Sequence, residues 1–472
     1  MSTNSPNRAL IALLLPVLTC GSIALAQAKD APAHGRPFFM PAQERARIRD
    51  LIATQEWAKA DYTRIQQTAR KGDGYLAAFL YALDGDPACA PVAEKWLLEK
   101  LGANSGTTKR ARGALDAPEF FKAGVPALND VFYDTDFSPY VAFDWVYNGL
   151  EPTARQEIED GIRGFMRFKM RSMDRWTQTP NLVFKPTSIV ALAGLAIQDR
   201  EAIDRGFHRK PESSIGGYFP VLNRMLKDGG PWHEAPIYPI AHTDLYCMAM
   251  VSRYRALYDG GDWWTAKTPN GGSPKGLMDY YIDSAYPFER TGHGAVQIRV
   301  ATYGDGATNA SNDLFLVNPA GPAIDATTAL MAAYNASGDP CLAPFVAMVP
   351  DYKPTLIDRR PLPDRVEFPA AQSRIWPDFG LAILRAEESP AYWTSDAPVV
   401  FQIMTKGYGH DHHDKFSITF HGAGRLLYPD YDAIQYENAN IGWTRNTIAH
   451  NTLMVDEGDT RSAPPSDVRH QR

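Results

Sequence analysis

The chain is poor in cysteine, with four in 472 residues: Cys20, Cys89, Cys247 and Cys341. None stands in a CxxC pair, so no thiolate metal site is built from them. Three remain after the leader described below, too few for a disulfide framework, although one bridge among Cys89, Cys247 and Cys341 stays open. An excess of positive charge is also missing. Lys and Arg number 48 against 54 Asp and Glu, a well-mixed net charge of −6, which gives no broad basic surface and excludes a nucleic-acid partner. A polyanionic ligand would have to be held by a local cluster of Arg, Lys, His and Asn. No fixed-period repeat is visible. The apolar run at the N-terminus is short and broken by Pro16, Thr19, Gly21 and Ser22, which argues against a membrane anchor.

That run reads as a secretory leader. Arg8 supplies the positive end, Ala9–Leu15 begins the apolar part, and Ala24-Leu25-Ala26 is an A-x-A cleavage site before Gln27. A lipoprotein signal at Cys20 fits less well, because Thr19 is larger than the residue such signals place there. The expectation is a leader over 1–26, export to a periplasm or beyond, and no stable membrane span in the mature protein. Aromatic residues make up 11% of the chain, with 10 Trp and 22 Tyr. Such side chains often line the clefts of sugar-handling enzymes, and any single one is more simply core.

From Pro41 to about Phe345 the pattern is mostly helical. Ile48, Leu51, Ile52, Trp57, Tyr62 and Ile65 keep helical spacing over Ala42–Ala69. Further helices are expected over Gly74–Leu83, Ala90–Leu101, Tyr140–Tyr147, Pro152–Met173, Thr187–Gln198, Phe219–Leu226 and Ile240–Tyr258. Helices joined by short Gly, Pro and Asp loops suggest an all-α array, a toroid of hairpins. Prolines then crowd between Val349 and Pro377, as in a linker. Beyond it the period becomes two, predicting strands over Gly380–Leu384, Val399–Met404, Phe416–Phe420, Arg425–Tyr428 and Thr452–Val455, with His421-Gly422-Ala423-Gly424 as a turn. The expected division is 27–348 helical, 349–377 linker and 378–472 antiparallel β. Five strands are few for such a domain, so a fragment or early-terminated chain is expected.

The last sixty or so residues carry the densest chemistry. His410, His412 and His413 fall within four positions, and Asp414 follows. On a strand continuing through Phe416, His410, His412 and Asp414 would share a face. Asp430 follows the next strand and His450 precedes another, so His412, Asp430 and His450 make a sensible N/O zinc set. The same spacing also fits a polar, histidine-rich turn. Upstream, the Gly/Pro-rich loop Asp228–Tyr238 brings Trp232, His233, Glu234 and Tyr238 together ahead of a helix, a cleft lining or a set of packed residues. Asn181 precedes a helix as a cap or turn residue would. Gly304-Asp305-Gly306-Ala307-Thr308-Asn309 is like a calcium loop but lacks the closing Glu, and is read as a plain loop.

The run His410-Asp411-His412-His413-Asp414-Lys415-Phe416-Ser417, then Pro429-Asp430-Tyr431, then Thr447-Ile448-Ala449-His450-Asn451-Thr452 resembles the heparinase II/III-like polysaccharide lyases, closest to their alginate and oligoalginate lyases. The Tyr436–His450 stretch, with Trp443 and Arg445, and the loop leading to Pro236-Ile237-Tyr238 resemble them too. The resemblance implies an incomplete (α/α) toroid followed by an antiparallel β-sandwich, more β-structure than this chain supplies. It implies β-elimination at a uronic acid. Asn181 and His410 would neutralise the substrate carboxyl, Tyr238 would transfer the proton, and Tyr436 would stand at the cleaved bond. Trp232, His233, Glu234 and Arg445 would bind substrate, and His412, Asp430 and His450 would hold a structural zinc. The partner would be an anionic polysaccharide or oligosaccharide, with a homodimer as the expected assembly.

One position departs from the pattern. Many relatives carry histidine directly after the asparagine; here it is Leu182. Either Tyr238 acts alone as base and acid, or His233 or His242 substitutes. Glycosaminoglycan cleavage and a non-catalytic glycan-binding relative are the alternatives. A metal-dependent hydrolase is a third, because His410-x-His412-x-Asp414 also occurs in the metallo-β-lactamase fold, but Lys415 stands where a further histidine should follow.

Overall fold

Buried apolar faces organise the helical part as the spacing predicts, with breaks where local chemistry demands them. The computed structural model describes residues 35–116, 136–173, 180–208, 217–241, 244–306, 314–319, 326–404, 410–430, 440–456 and 458. The leader, His242 and Tyr436 lie outside these. The helix expected over Ala42–Ala69 is two, Ala42–Thr54 and Glu56–Arg70, because Gln55 is extended (φ −118°, ψ 122°). The break lets Ile48 and the Ala58, Asp61, Ile65, Ala69 face bury separately. Gly74–Asp84 is capped by the Asp73 carboxylate on the Leu76 N–H and ends at left-handed Gly85. Ala90–Leu101 and Pro152–Met173 form over the predicted residues. The next helix starts at Pro180 rather than Thr187 and runs through Pro186. A proline early in a helix loses one hydrogen bond, a cost burial of the helix offsets. Of the helix expected over Ile240–Tyr258, the described residues Tyr238–Ala241 and Asp244–Asp259 are helical.

Two elements escape the predicted order. Within the region read as helical, β1 (Glu289–Arg290), β2 (Val296–Arg299) and β3 (Phe315–Val317) form a small antiparallel sheet. Within the proline-dense stretch, β4 (Arg374–Trp376) opens a five-stranded antiparallel sheet. It continues through β5 (Leu381–Arg385), β6 (Val399–Ile403), β7 (Ile418–Gly422) and β8 (Arg425–Tyr428), paired in chain order. The proline-dense stretch is packed rather than loose. Leu356 N–H bonds to Asp61 at 2.8 Å, and Trp393 Nε1 bonds to the Pro369 carbonyl at 2.7 Å.

β6 alternates strictly, with Val399, Phe401 and Ile403 buried. Its inner face meets the segments flanking β1 and β2. Tyr303 stacks near Phe401 at 6.4 Å, and Tyr286 lies parallel to His421 at 5.2 Å while its hydroxyl bonds to Thr419 Oγ1. Gly35–Arg472 is therefore one compact unit. Ala423 and Gly424, both at positive φ, make the tight β7–β8 turn.

The long β6–β7 connection is where the strand expectation fails. Residues 410–417 are irregular, and His410 and Phe416 both sit at φ 65°. Thr452–Val455 is not a strand either, since only Val455 bridges, to Gly458. His450 follows a short 3-10 turn, Thr447–Ala449, rather than opening a strand. Cys89 and Cys247 are buried, Cys341 is exposed, and all three are free. No described helix is long and apolar enough to cross a membrane.

The sheet contains a buried imidazole. Burial pushes His421 down to about 4 from its ordinary 6.5, and both ring nitrogens lack a hydrogen bond, although Nε2 lies 3.6 Å from Glu289 Oε1. As pH falls from 6.5 toward 4, the unfolded chain binds a proton that the folded sheet refuses. Stability conferred by the neutral ring, full above 6.5, is lost across that window. The His421→Gln variant is expected to lose less stability on acidification than the parent, by about 1–3 kcal/mol between pH 7 and 4.5 in urea unfolding. Parallel losses in the two proteins would contradict a neutral buried His421.

Candidate active site

Three segments far apart in sequence meet at one buried carboxylate. The first is the loop before Tyr238, fixed at both ends. Asp228 accepts from the Phe379 N–H at 2.7 Å, tying the loop to the start of the five-stranded sheet, and Tyr281 Oη donates to the Pro236 carbonyl. The second is the β6–β7 connection carrying His410 and His412. The third is the turn after Ile441–Thr444, which presents Arg445. All reach Asp305, which is 3% exposed.

The contacts are specific. The Tyr238 hydroxyl donates to Asp305 Oδ2 at 3.4 Å, and His410 Nδ1 donates to the same oxygen at 3.0 Å. Arg445 Nη2 donates to Oδ2 at 2.8 Å and to Oδ1 at 3.1 Å. His412 Nε2 reaches Oδ1 at 2.6 Å. The Asp305 N–H in turn bonds to the His410 carbonyl at 3.1 Å. Tyr238 and His410 lie face to face, with ring centroids 4.0 Å apart and planes 20° apart. Left-handed φ at His410, uncommon outside glycine, is held by these contacts.

Asp305 was read from the sequence only as part of a loop. The structure explains its glycine neighbours. Gly304 is at φ 58°, and a Cβ at Gly306 would stand 2.7 Å from the Tyr303 carbonyl oxygen. An acid held between two glycines at the end of a buried run is the signal that could have singled it out.

Around this hub sit most of the sequence candidates. Glu234 is buried, accepts from Trp232 Nε1 at 2.8 Å, and lies 4.0 Å from His410 Nε2. Burial pushes its carboxyl up, against the opposing pull of the Trp232 N–H, of His410 and of the Asn181 backbone N–H. Asn181 is buried in the first turn of Pro180–Ile197 and joins the site through that contact. One turn along the same helix, Lys185 faces buried Asp244; burial drives Lys185 down and Asp244 well up, each opposed by the other's charge. The His233 ring lies in the field of Lys227 and Arg224, and burial together with these cations pushes it down. Asp414 is buried, and its Oδ2 accepts from the Gly304 N–H at 3.1 Å.

The proposed metal ligands stand beside the hub. The His412 and His450 rings are 5.3 Å apart, and His450 Nδ1 lies 3.0 Å from Asp430 Oδ2. His412 Nδ1 is buried without a hydrogen-bond partner. Two imidazoles, a carboxylate and an orphaned ring nitrogen suit a zinc ion chemically. In the present geometry, however, no group of three His, Cys, Asp or Glu among the described residues is arranged to hold a metal. His412 Nε2 and Asp430 are each engaged in hydrogen bonds, so a metal would require the three side chains to regroup.

Residues 369–469 match the family described as heparinase II/III-like, C-terminal. The chain is 24% identical over 476 residues to an alginate lyase of Stenotrophomonas maltophilia (strain K279a), covering 92% of this chain and 59% of that protein. Among solved structures, a heparinase III gene product is similar at TM-score 0.44 and 15% identity, over 88% of this chain and 62% of that one. The heparan sulfate lyase HepC of Pedobacter heparinus is similar at TM-score 0.45 and 14% identity, over 83% of this chain and 53% of that one. The C-terminal residues are thus similar to the heparinase II/III-like C-terminal family, and most of the chain is similar to that alginate lyase. The chain spans 59% of the length of that curated relative.

The Trp232 N–H needs an acceptor oxygen at position 234, which Gln also supplies. Glu234→Gln is expected to hold stability within about 1 kcal/mol, whereas Glu234→Leu strands the Trp232 N–H and costs about 1–3 kcal/mol in chemical denaturation. Equal losses in both variants would show that the charge of Glu234, not its acceptor oxygen, matters.

Proposed function

We propose that the protein is an exported polysaccharide lyase that cleaves a uronic-acid polymer by β-elimination, with alginate or its oligomers as the favoured substrate. The observation that carries this reading is the Tyr238–His410 stack, 4.0 Å between centroids, which joins the loop of the helical part to the histidine run of the β part. Elimination needs the C5 proton made acidic by neutralising the adjacent carboxylate, a base to remove it, and an acid to protonate O4 as it leaves. Asn181 and His410 take the carboxylate. Tyr238 removes the proton and, in a syn elimination, returns it to O4. Donors around the site stabilise the enolate-like charge. Tyr436, outside the described residues, has its role at the cleaved bond from resemblance alone. Leu182 cannot move a proton, so either Tyr238 is both base and acid or His233 or His242 substitutes.

Around this chemistry the reading includes an incomplete (α/α) toroid, a β-sandwich begun by the five-stranded sheet, and export through the leader ending at Ala26. A homodimer and a zinc ion complete it. His412, Asp430 and His450 would hold the zinc, which supplies a structural cross-link and takes no part in proton transfer. A glycosaminoglycan substrate is the alternative, because the two solved relatives named above are a heparinase III gene product and a heparan sulfate lyase.

The deciding experiment follows ultraviolet absorbance while the protein is incubated with alginate, polymannuronate, polyguluronate, heparan sulfate and hyaluronate. Elimination creates a conjugated unsaturated uronate; hydrolysis does not. A rise on one polymer is expected, and Tyr238→Phe should lower it by about 1,000-fold. No rise on any polymer from folded protein would overturn the reading. For zinc, the expected result is about one metal per chain in elemental analysis, lost in His412→Ala and His450→Ala, with a lower melting temperature after chelation. Metal-free protein that melts unchanged by chelator would remove zinc from the scheme.

A further inference from the structure

Asp305 lies outside the residues to which a role has been assigned, yet the proton-transfer pair and the proposed metal cluster both end on it. Its two oxygens take five side-chain donors: Tyr238 Oη, His410 Nδ1, His412 Nε2, and the Nε and Nη2 of Arg445. A carboxylate offers about four lone-pair sites, so this one is saturated, and a saturated, buried acceptor fixes its donors in direction as well as distance. If Asp305 served only to neutralise a buried cation, the forked contact from Arg445 would suffice. The remaining contacts go to the tyrosine and histidine that β-elimination uses and to the histidine beside Asp430 and His450.

We propose that Asp305 is the positioning residue of this site: it holds the Tyr238 hydroxyl and the His410 imidazole in one reactive arrangement and couples that arrangement to His412. The inference rests on the lyase reading above. At 3.4 Å the Tyr238 contact is long, so the hydroxyl is aimed without being held fast and can turn to a substrate proton. His410 is held from two sides, by its ring on Oδ2 and by its carbonyl on the Asp305 N–H, which accounts for its left-handed backbone. Loss of the carboxylate frees the ring, the hydroxyl and Arg445 together.

The test uses the full chain with Asp305→Ala and Asp305→Asn. Removing the acceptor misplaces reacting groups without removing the groups that bind the sugar. Asp305→Ala is therefore expected to lower kcat by about 100-fold while KM moves less than about threefold. Asp305→Asn keeps one acceptor oxygen and should fall between Ala and the parent. A second readout does not depend on turnover. Carbethoxylation of His410 by diethylpyrocarbonate, mapped by mass spectrometry against exposed His293, should accelerate severalfold in both variants. Unchanged kcat in Asp305→Ala, loss in Asp305→Asn as deep as in Ala with KM rising in step, or unchanged His410 labelling each overturns the proposal. A parent protein inactive on every polymer overturns the lyase reading instead, while the labelling still decides whether Asp305 holds His410.

Discussion

The Asp305 carboxylate and its donors are the contact on which the rest of the site depends. A carboxylate taken out of water is costly unless it is paired and hydrogen-bonded, and here the pairing partners come from both architectural parts of the chain. Tyr238 arrives from the helical part, and His410, His412 and Arg445 arrive from segments associated with the five-stranded sheet. Burying that acid therefore requires the two parts to close on each other in one register. The Asp228–Phe379 bond and the Tyr303–Phe401 and Tyr286–His421 ring contacts keep the same register farther from the site.

Closure also sets the polarity of the site. Glu234, Asp244 and Lys185 are all buried behind it, and burial shifts each toward its neutral form. A low-dielectric wall of this kind strengthens whatever charge contacts face the open side. The same wall makes the loss of a hydrogen-bond acceptor expensive, as at Glu234, whose oxygen takes the Trp232 N–H.

Much of the helical part was legible because amphipathic spacing and caps are local. Gly74–Asp84, Ala90–Leu101 and Pro152–Met173 each carry their own start and stop signals. The break at Gln55 was not, since it is set by what each half packs against. Short strands such as β1 and β4 have no period to read at two or three residues and exist only through their partners. The histidine run was found from spacing, but the expected strand face was wrong. Its side chains converge through an irregular segment pinned by tertiary hydrogen bonds, not through alternation.

The sequence by itself determined the helix-to-strand change of period, the chemistry-bearing run from His410 to His450, and the tyrosine loop. Those follow from residue identity and near-neighbour spacing. Only the tertiary structure decided that Tyr238 stacks on His410 and that Asp305 gathers the whole group. An unremarkable loop acid acquires that role only when the folded chain buries it and brings donors from distant segments to neutralise it. The flanking glycines mark the acid as tightly held, but which distant donors converge on it is not written in the order of the residues.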